Sequence, residues 1–170
     1  MTDEQRERLA ELIAEKKESK KKAEIERIKA QMSAEIKDFT RRYRFADTKE
    51  SARIGAFIDN LPYRRPAWVD LEKFPNRQGF SLNESNAENI WTDFMSGKEE
   101  VLKIFIRDVW ICFLLGDEEL FKIFVKCKAA DFFADFDEWT FYSPYVVLLY
   151  NDFSGFVFID DNEEMTGVII

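Results

Sequence analysis

Two short runs of carboxylates near the end of the chain have the residue types best suited to chemistry. Asp135 and Asp137 flank a phenylalanine in the run DFD, and residues 160–164 read DDNEE. Carboxylate oxygens are the ligands that Mg²⁺ and Ca²⁺ prefer, so either run could hold a divalent cation. However, the order of an EF-hand loop with its central glycine is missing, and residues 129–170 supply no Lys or Arg for a phosphate. The sequence therefore predicts no metal site.

Other catalytic chemistry lacks its usual side chains. The 170 residues include no His, which removes the Ser-His-Asp triad and every His metal ligand. The six glycines are too far apart for a phosphate-binding loop or a dinucleotide fingerprint. Cys112 and Cys127 lie in apolar surroundings without CxxC spacing, which predicts two reduced, buried thiols. We therefore expect a protein that is not an enzyme and uses no cofactor, with a carboxylate-metal enzyme as the least favoured alternative.

The end of the chain carries charge of one sign. Residues 129–170 hold nine carboxylates and eleven aromatic rings but no Lys or Arg. Ordinary surfaces mix both signs because a one-signed field repels itself, whereas such a field accelerates encounter with a cationic partner. We predict that this acidic tail binds a basic protein through Asp131, Asp135, Asp137, Glu138, Trp139, Tyr142, Tyr145, Asp152, Asp160, Asp161, Glu163 and Glu164. The alternative is that the carboxylates are only a solvated outer face.

A basic region precedes the acidic tail. Residues 16–65 carry 15 basic against 8 acidic side chains, and cations alternate with rings in RRYRF and YRR. Such interleaving is common on surfaces that bind nucleic acid. The candidate nucleic-acid contacts are Arg41, Arg42, Arg44, Arg64 and Arg65. A second interpretation is that this region pairs with the acidic tail, either within one chain or between two copies.

Residues 3–45 contain neither Gly nor Pro and are rich in Glu, Lys, Arg and Ala, which predicts one long helix. One apolar stripe has members three or four positions apart: Ile25, Ile28, Met32, Ile36, Phe39 and Tyr43. Another begins at Leu9, Leu12 and Ile13, before the lysine-rich residues 16–22. So long a helix exceeds the diameter of a compact domain, so we expect it to project, to bend, or to form a coiled coil with another chain.

Residues 46–170 are predicted to form one globular domain. Asp47 and Glu50 have capping-box spacing, which predicts a helix that ends before Pro62. The Pro, Gly and Asn content of the next twenty or so residues predicts an irregular connection. A third helix is predicted from Ser85 to about Met95.

Residues 99–128 are strongly hydrophobic and harder to assign. Glu100, Lys103 and Arg107 have helical spacing, whereas residues 121–128 alternate as a strand would. We predict a buried helix up to Leu115, a break at Gly116 and a second helix from Asp117. After these, YVVLLY and FVFID joined by NDFSG predict a β-hairpin, and TGVII could add a last strand.

These elements predict an α+β fold: a long charged helix in residues 1–45, then a domain of residues 46–170 that ends in an antiparallel hairpin or small sheet. The charged N-terminus and the lack of a long apolar run predict a cytoplasmic protein without a membrane partner. The predicted function is that of an acidic inhibitor, such as an immunity or anti-defence protein, which neutralises a basic nucleic-acid-acting protein. The alternative is a nucleic-acid-associated or scaffold protein acting through the basic helix, and that helix could also join two copies as a homodimer.

Overall fold

The computed structural model describes residues 2–81, 106–115 and 121–170. The chain divides into two compact units, residues 1–37 and residues 38–170. The first unit contains one long helix, and the second contains shorter helices and an antiparallel sheet, so the predicted α+β class is confirmed. The third predicted helix, from Ser85 to about Met95, lies outside the described residues.

Helix α1 spans Asp3–Glu35 and begins with a capping box, in which the side chain of Thr2 accepts a hydrogen bond from the Gln5 N–H at 3.3 Å. The helix ends well before residue 45, so the prediction of one helix over residues 3–45 is wrong. Ile36 is extended, and Asp38 has a left-handed conformation with φ of 55°. Asp is one of the few residues that tolerate this conformation. The chain then forms the short helix α2, Phe39–Arg42.

Strand β1, Arg44–Phe45, leads into helix α3, Thr48–Asp59, whose predicted capping box is confirmed. Asp47 Oδ1 accepts from the Glu50 N–H at 2.8 Å, and Glu50 Oε2 accepts from the Asp47 N–H at 3.0 Å. The Arg44 guanidinium adds two hydrogen bonds of 2.7 Å to the Glu50 carboxylate. Mainly because of Arg44, the pKa of Glu50 is lowered to about 2. The start of α3 is therefore held by the capping box that the sequence spacing predicted and, in addition, by Arg44, which that spacing did not reveal.

A short antiparallel hairpin follows, made of β2, Tyr63–Arg65, and β3, Trp68–Val69. Its turn contains Pro66 and Ala67, the latter with a left-handed φ of 64°. Arg65 is paired with Trp68 in the register, and its guanidinium carbon lies 4.6 Å from the centre of a Trp68 ring. A single 3-10 turn, Leu71–Lys73, comes next. The connection that was predicted to be irregular thus contains a short β-hairpin, and this hairpin positions Trp68.

The described residues of the second unit form a seven-stranded antiparallel sheet in the order β1-β6-β5-β7-β8-β9-β4. The strands after β3 are β4 Arg77–Ser81, β5 Asp108–Leu115, β6 Phe121–Lys128, β7 Val146–Tyr150, β8 Gly155–Ile159 and β9 Glu164–Ile169. The predicted hairpin is β7 and β8, paired from Val146 opposite Ile159, and the predicted last strand is β9. The C-terminal hairpin is therefore part of a larger sheet.

Strands β5 and β6 contradict the predicted helices in this part of the chain. Residues up to Leu115 were expected to be a buried helix and residues from Asp117 a second one, yet 108–115 and 121–128 pair as antiparallel strands. Both faces of β5 are buried, so apolar residues follow one another without the alternation of a half-exposed strand. The predicted break at Gly116 and the residues 99–105 lie outside the described part.

One face of the sheet packs against α3. Buried Ile54 and Ile58 of the helix belong to the same cluster as Trp110 and Cys112 of β5. Cys112 and Cys127 are both free, buried thiols, as predicted, and burial raises the pKa of each. These cysteines act as small apolar side chains in the core.

The opposite face packs against two short helices, α4, Ala129–Ala134, and α5, Phe136–Thr140. Trp139 of α5 is the centre of this layer. Its ring lies 5.4 Å from that of Phe113 in β5 and 4.9 Å from that of Tyr43. Phe39 of α2 contacts the same indole, with ring centres 6.4 Å apart. Trp139 therefore joins α2, α5 and the sheet.

Two glycines allow a matched test of this packing. At Gly155 an added Cβ would lie 2.3 Å from the carbonyl oxygen of Val168, whereas at Gly55 in α3 the nearest atom would be 4.0 Å away. We expect Gly155→Ala to destabilise the protein by about 2 kcal/mol or more because strand backbones must separate. Gly55→Ala is expected to stabilise it by about 0.5–1 kcal/mol because Ala favours the helix. Urea denaturation measures both changes, and equal effects of the two variants would contradict this packing.

Candidate protein-binding surface

The nine carboxylates of residues 129–170 do not form one cluster. They lie in three places: on and between α4 and α5, in the turn between β7 and β8, and in and after the turn between β8 and β9. Consecutive turns of an antiparallel sheet lie at opposite ends of its strands. The one-signed surface that the sequence predicted is therefore divided.

Asp131 and Asp135 bind a cation of the same chain. Arg42 Nη2 lies 2.5 Å from Asp135 Oδ2, and Arg42 Nη1 lies 3.6 Å from Asp131 Oδ1. Tyr43 Oη lies 2.6 Å from the same Asp135 oxygen and 2.7 Å from the backbone carbonyl oxygen of Asp131. Burial, together with the hydrogen bond to Asp135, raises the pKa of Tyr43. This is the within-chain pairing of basic region and acidic tail that the sequence left open.

Trp139 and Asp160, both predicted as partner contacts, lie inside the protein. Trp139 is 0% exposed among the rings described above. Asp160 is buried at the β8–β9 turn, where its Oδ1 accepts hydrogen bonds from the backbone N–H of Asn162 at 2.8 Å and of Glu164 at 3.0 Å. An Asp that bonds its own following backbone stabilises such turns. Burial therefore removes both residues from the predicted contact surface.

Tyr145 and Asp161 meet at the β8–β9 end of the sheet. The Tyr145 hydroxyl donates a hydrogen bond of 3.2 Å to Asp161 Oδ2, and burial together with the Asp161 charge raises the pKa of Tyr145. The Tyr145 ring meets the Trp68 indole edge to face, with centres 5.7 Å apart. Arg65 lies against that indole, so one guanidinium contacts this group. Glu164 is exposed at the start of β9, directly after this turn.

Residues 141–145 lie at the same end of the sheet. The hydroxyl of Ser143 donates to the carbonyl oxygen of Leu114, near the end of β5, at 3.1 Å. Phe141 is 77% exposed, and the half-buried Tyr142 contacts it edge to face at 5.7 Å. Asp137 is exposed one helical turn before Phe141, and Glu138 is exposed beside it. Aromatic and acidic side chains are thus neighbours outside the core.

Trp68 and Tyr145 lie on the face of the sheet that α3 covers, whereas Asp137, Glu138 and Phe141 belong to the α5 side, and both sets lie at the same end of the strands. We name these residues together the acidic aromatic end. Its members are the rings of Trp68, Phe141, Tyr142 and Tyr145 and the carboxylates of Asp137, Glu138, Asp161, Glu163 and Glu164. Glu163 is a half-exposed member held in a left-handed conformation by the turn, with φ of 59°. Seven of the twelve predicted partner contacts belong to this group.

Asp152 lies at the opposite end of the sheet, in the β7–β8 turn. Its Oδ1 accepts hydrogen bonds from the hydroxyl of Ser154 at 2.6 Å and from the Ser154 N–H at 3.0 Å, and these bonds lower the pKa of Asp152. A shallow cleft of about 210 Å³ at this end is lined by Arg107, Asp108, Tyr150, Asn151 and Asp152. This exposed carboxylate is therefore separate from the acidic aromatic end.

The five arginines predicted as nucleic-acid contacts all have partners within the chain. The pairs are Arg41 with Asp38, Arg42 with Asp131 and Asp135, Arg44 with Glu50, Arg64 with Asp70 and Glu72, and Arg65 with the ring of Trp68. Close carboxylates reduce the positive field that these side chains present to a phosphate. Arg42, with 18% of its side chain exposed, is the most enclosed of those paired with carboxylates.

Sequence reasoning missed Phe141 and Trp68 as surface residues. The buried rings of Phe132, Phe136 and Trp139 follow one another at steps of four and three residues. Phe141 comes two positions after Trp139 and breaks this helical spacing, which is a signal that could have marked it as exposed. Trp68 offered no such signal because its contact with Tyr145 joins distant parts of the sequence.

Within residues 2–81, 106–115 and 121–170, the structure brings together no group of three His, Cys, Asp or Glu side chains that could hold a metal ion. Among the helices of those residues, none has the length and apolarity needed to cross a membrane. Comparisons with models of protein families, with curated proteins and with solved structures find no match to this chain.

The hydrogen bond between Tyr43 and Asp135 is expected to contribute to stability. Tyr43→Phe removes the hydroxyl and leaves the half-buried Asp135 carboxylate with one donor fewer, so we expect a loss of about 1.5–3 kcal/mol in the free energy of unfolding. Tyr145→Phe is the control, because its bond to exposed Asp161 should be worth no more than about 0.5 kcal/mol. Urea denaturation followed by tryptophan fluorescence measures both losses. Equal losses would show that the Tyr43 hydroxyl has no special role.

Alkaline pH tests the same contact. Tyr43 has an ordinary pKa of 10.0 when unfolded and a raised pKa when folded, so the folded state keeps its proton where the unfolded state loses it. Its contribution is therefore complete below pH 10.0 and declines above it. We expect the wild-type stability to fall more steeply than that of Tyr43→Phe above this pH, by up to about 1.4 kcal/mol per pH unit. If urea denaturation shows that the stability of both proteins falls equally with pH, the raised pKa of Tyr43 is contradicted.

Proposed function

We propose that the protein is a non-enzymatic binding module whose acidic aromatic end captures a basic protein. The observation that carries this proposal is Phe141, an aromatic ring that is 77% exposed beside Asp137 and Glu138. Burial of this large ring against a partner would remove apolar surface from water and so contribute favourable hydrophobic free energy to binding. Aromatic side chains are also enriched among the residues that dominate protein–protein binding. The neighbouring carboxylates favour a cationic partner.

The charges of this surface support a role in partner selection. Five carboxylates lie in the acidic aromatic end, and Arg65 contacts one of its rings, that of Trp68. Surface charges of one sign accelerate encounter with the opposite sign and penalise partners of like sign. The carboxylates of the acidic aromatic end should therefore set the association rate, whereas burial of the Phe141 and Tyr145 rings should slow dissociation.

A basic protein that acts on nucleic acid is the partner class that fits this chemistry. Such a protein has a groove of Lys and Arg for phosphates, and carboxylates can occupy the same positions. The protein would then act as an inhibitor in the cytoplasm, as an immunity or anti-defence protein does. The alternative of nucleic-acid binding through the basic region has less support, because its five arginines contact groups of the same chain.

Affinity capture with the full chain tests the proposal. At low salt the wild type is expected to retain a protein of high isoelectric point, and Phe141→Ala is expected to weaken that complex at least tenfold because it removes the most exposed ring of the surface. The double variant Asp161→Asn, Glu164→Gln should slow association and reduce its salt dependence. Surface plasmon resonance with the retained protein measures these rates.

Asp152→Asn is the matched control, because it removes an exposed carboxylate at the other end of the sheet. It should leave both rates near those of the wild type. Equal weakening by Asp152→Asn and Phe141→Ala would contradict the location of the site. Capture of RNA or DNA in place of a basic protein would contradict the proposed class of partner.

A further inference from the structure

The first half of α1 is exposed on every side. Residues 2–20 all have exposed side chains, including the aliphatic residues Leu9, Leu12 and Ile13, which are 47%, 55% and 59% exposed. At 3.6 residues per turn these three lie on one face of the helix. Cations flank them on that face, namely Arg6, Lys16, Lys17 and Lys20. Lys16 and Lys20 lie in line with Leu9, two and three turns further along the helix, and Arg6 and Lys17 lie along one edge. This basic aliphatic face therefore combines an apolar patch with cations beyond it and along one side.

The acidic side chains of the same segment lie on the opposite face. They are Asp3, Glu4, Glu7, Glu11, Glu15 and Glu18. Like charges are neighbours on both faces, where Glu7, Glu11 and Glu15 follow at steps of four, and so do Lys16 and Lys20. Opposite charges meet at the edges between the faces, where Arg8 has helical spacing from Glu4 and Glu11 and Arg6 lies 3.8 Å from Asp3. Like charges at this spacing destabilise a helix, whereas alternating charges would stabilise it. The like-charge neighbours cost the isolated helix stability, and a partner of negative charge would offset that cost on the basic aliphatic face.

A second copy of α1 fits the basic aliphatic face poorly. Two such faces packed together in parallel would bring Lys16 and Lys20 of both helices into the shared seam, where coiled coils need apolar side chains flanked by opposite charges. A protein groove also fits poorly, because stable interfaces bury about 800 Å² on each partner and three aliphatic side chains supply only part of that area. A surface that accepts shallow insertion and presents many negative groups fits better.

We propose that α1 binds an anionic lipid surface and lies in its plane. Leu9, Leu12 and Ile13 would enter the boundary between headgroups and acyl chains, and the flanking Lys and Arg would contact lipid phosphates and carboxylates. The acidic face would point to water, away from the negative surface. The sequence-based expectation of no membrane partner rested on the absence of a spanning segment, and a helix that lies on the surface needs none.

Vesicle sedimentation with the full chain tests this binding. The protein is expected to sediment with vesicles of equimolar phosphatidylserine and phosphatidylcholine, to remain in solution with phosphatidylcholine alone, and to be released by salt. The double variant Lys16→Gln, Lys20→Gln should lower the affinity about 25-fold, at roughly fivefold for each cation lost. Leu12→Gln with Ile13→Gln should weaken binding at least tenfold, because the inserted side chains are lost.

Lys22→Gln provides the matched control, since exposed Lys22 lies just beyond this segment of α1, on the side of the helix that carries the acidic residues. It should change the affinity less than twofold, and circular dichroism should show equal helix content in all variants because Gln favours helices. Lipid binding that is absent, or that falls equally with Lys22→Gln and Lys20→Gln, would overturn the proposal. So would tighter binding to a DNA duplex that Leu12→Gln leaves unchanged, or self-association that Leu12→Gln abolishes.

Discussion

Burial of both faces of the central sheet is the constraint on which the second unit depends. Strand β5 has apolar side chains on either face, so each face needs a cover that excludes water. Helix α3 covers one face, and α4 with α5 covers the other through Phe132, Phe136 and Trp139. Truncation of one buried aromatic residue typically costs about 3–5 kcal/mol, which is a large part of the 5–15 kcal/mol that stabilises a whole domain. The stability of the second unit therefore depends on α5 lying against the sheet.

The same constraint gives the carboxylates of residues 129–170 different roles. Asp131 of α4 and Asp135, which follows α4, contact Arg42 and Tyr43, and these contacts help to hold the helical layer in place. Asp160 stabilises the turn that joins β8 to β9. Asp137, Glu138 and Asp161 lie outside the core. An acidic composition thus serves folding at some positions and leaves others available to a partner.

Local signals in the sequence were sufficient for several elements. The capping box of α3 needs only Asp47 and Glu50, and the β7–β8 hairpin needs only two β-rich runs with a short turn. Strand β5 had no such signal, because burial on both faces removes the period of two. In β6, Lys122 and Lys126 alternate with buried Ile123 and Val125. This correct strand signal conflicted with the acidic residues from Asp117, which are typical of the first turn of a helix.

The site was predictable in its composition but not in its geometry. The excess of carboxylates and rings in residues 129–170 is visible in the sequence. The pairing of Arg42 with Asp135 and the contact of Trp68 with Tyr145 join residues that are far apart in the chain. Such contacts follow from the strand order and the placement of helices, so no spacing rule reveals which charges are already paired.

Amide hydrogen exchange of the full chain, with and without its captured basic protein, tests most directly that the acidic aromatic end is the binding surface. Exchange reports which backbone segments become protected when a partner covers them. The account predicts slower exchange in residues 137–145 and 160–164, with no change in residues 151–154 at the opposite end of the sheet. Protection of residues 151–154, with none at 137–145, would contradict it.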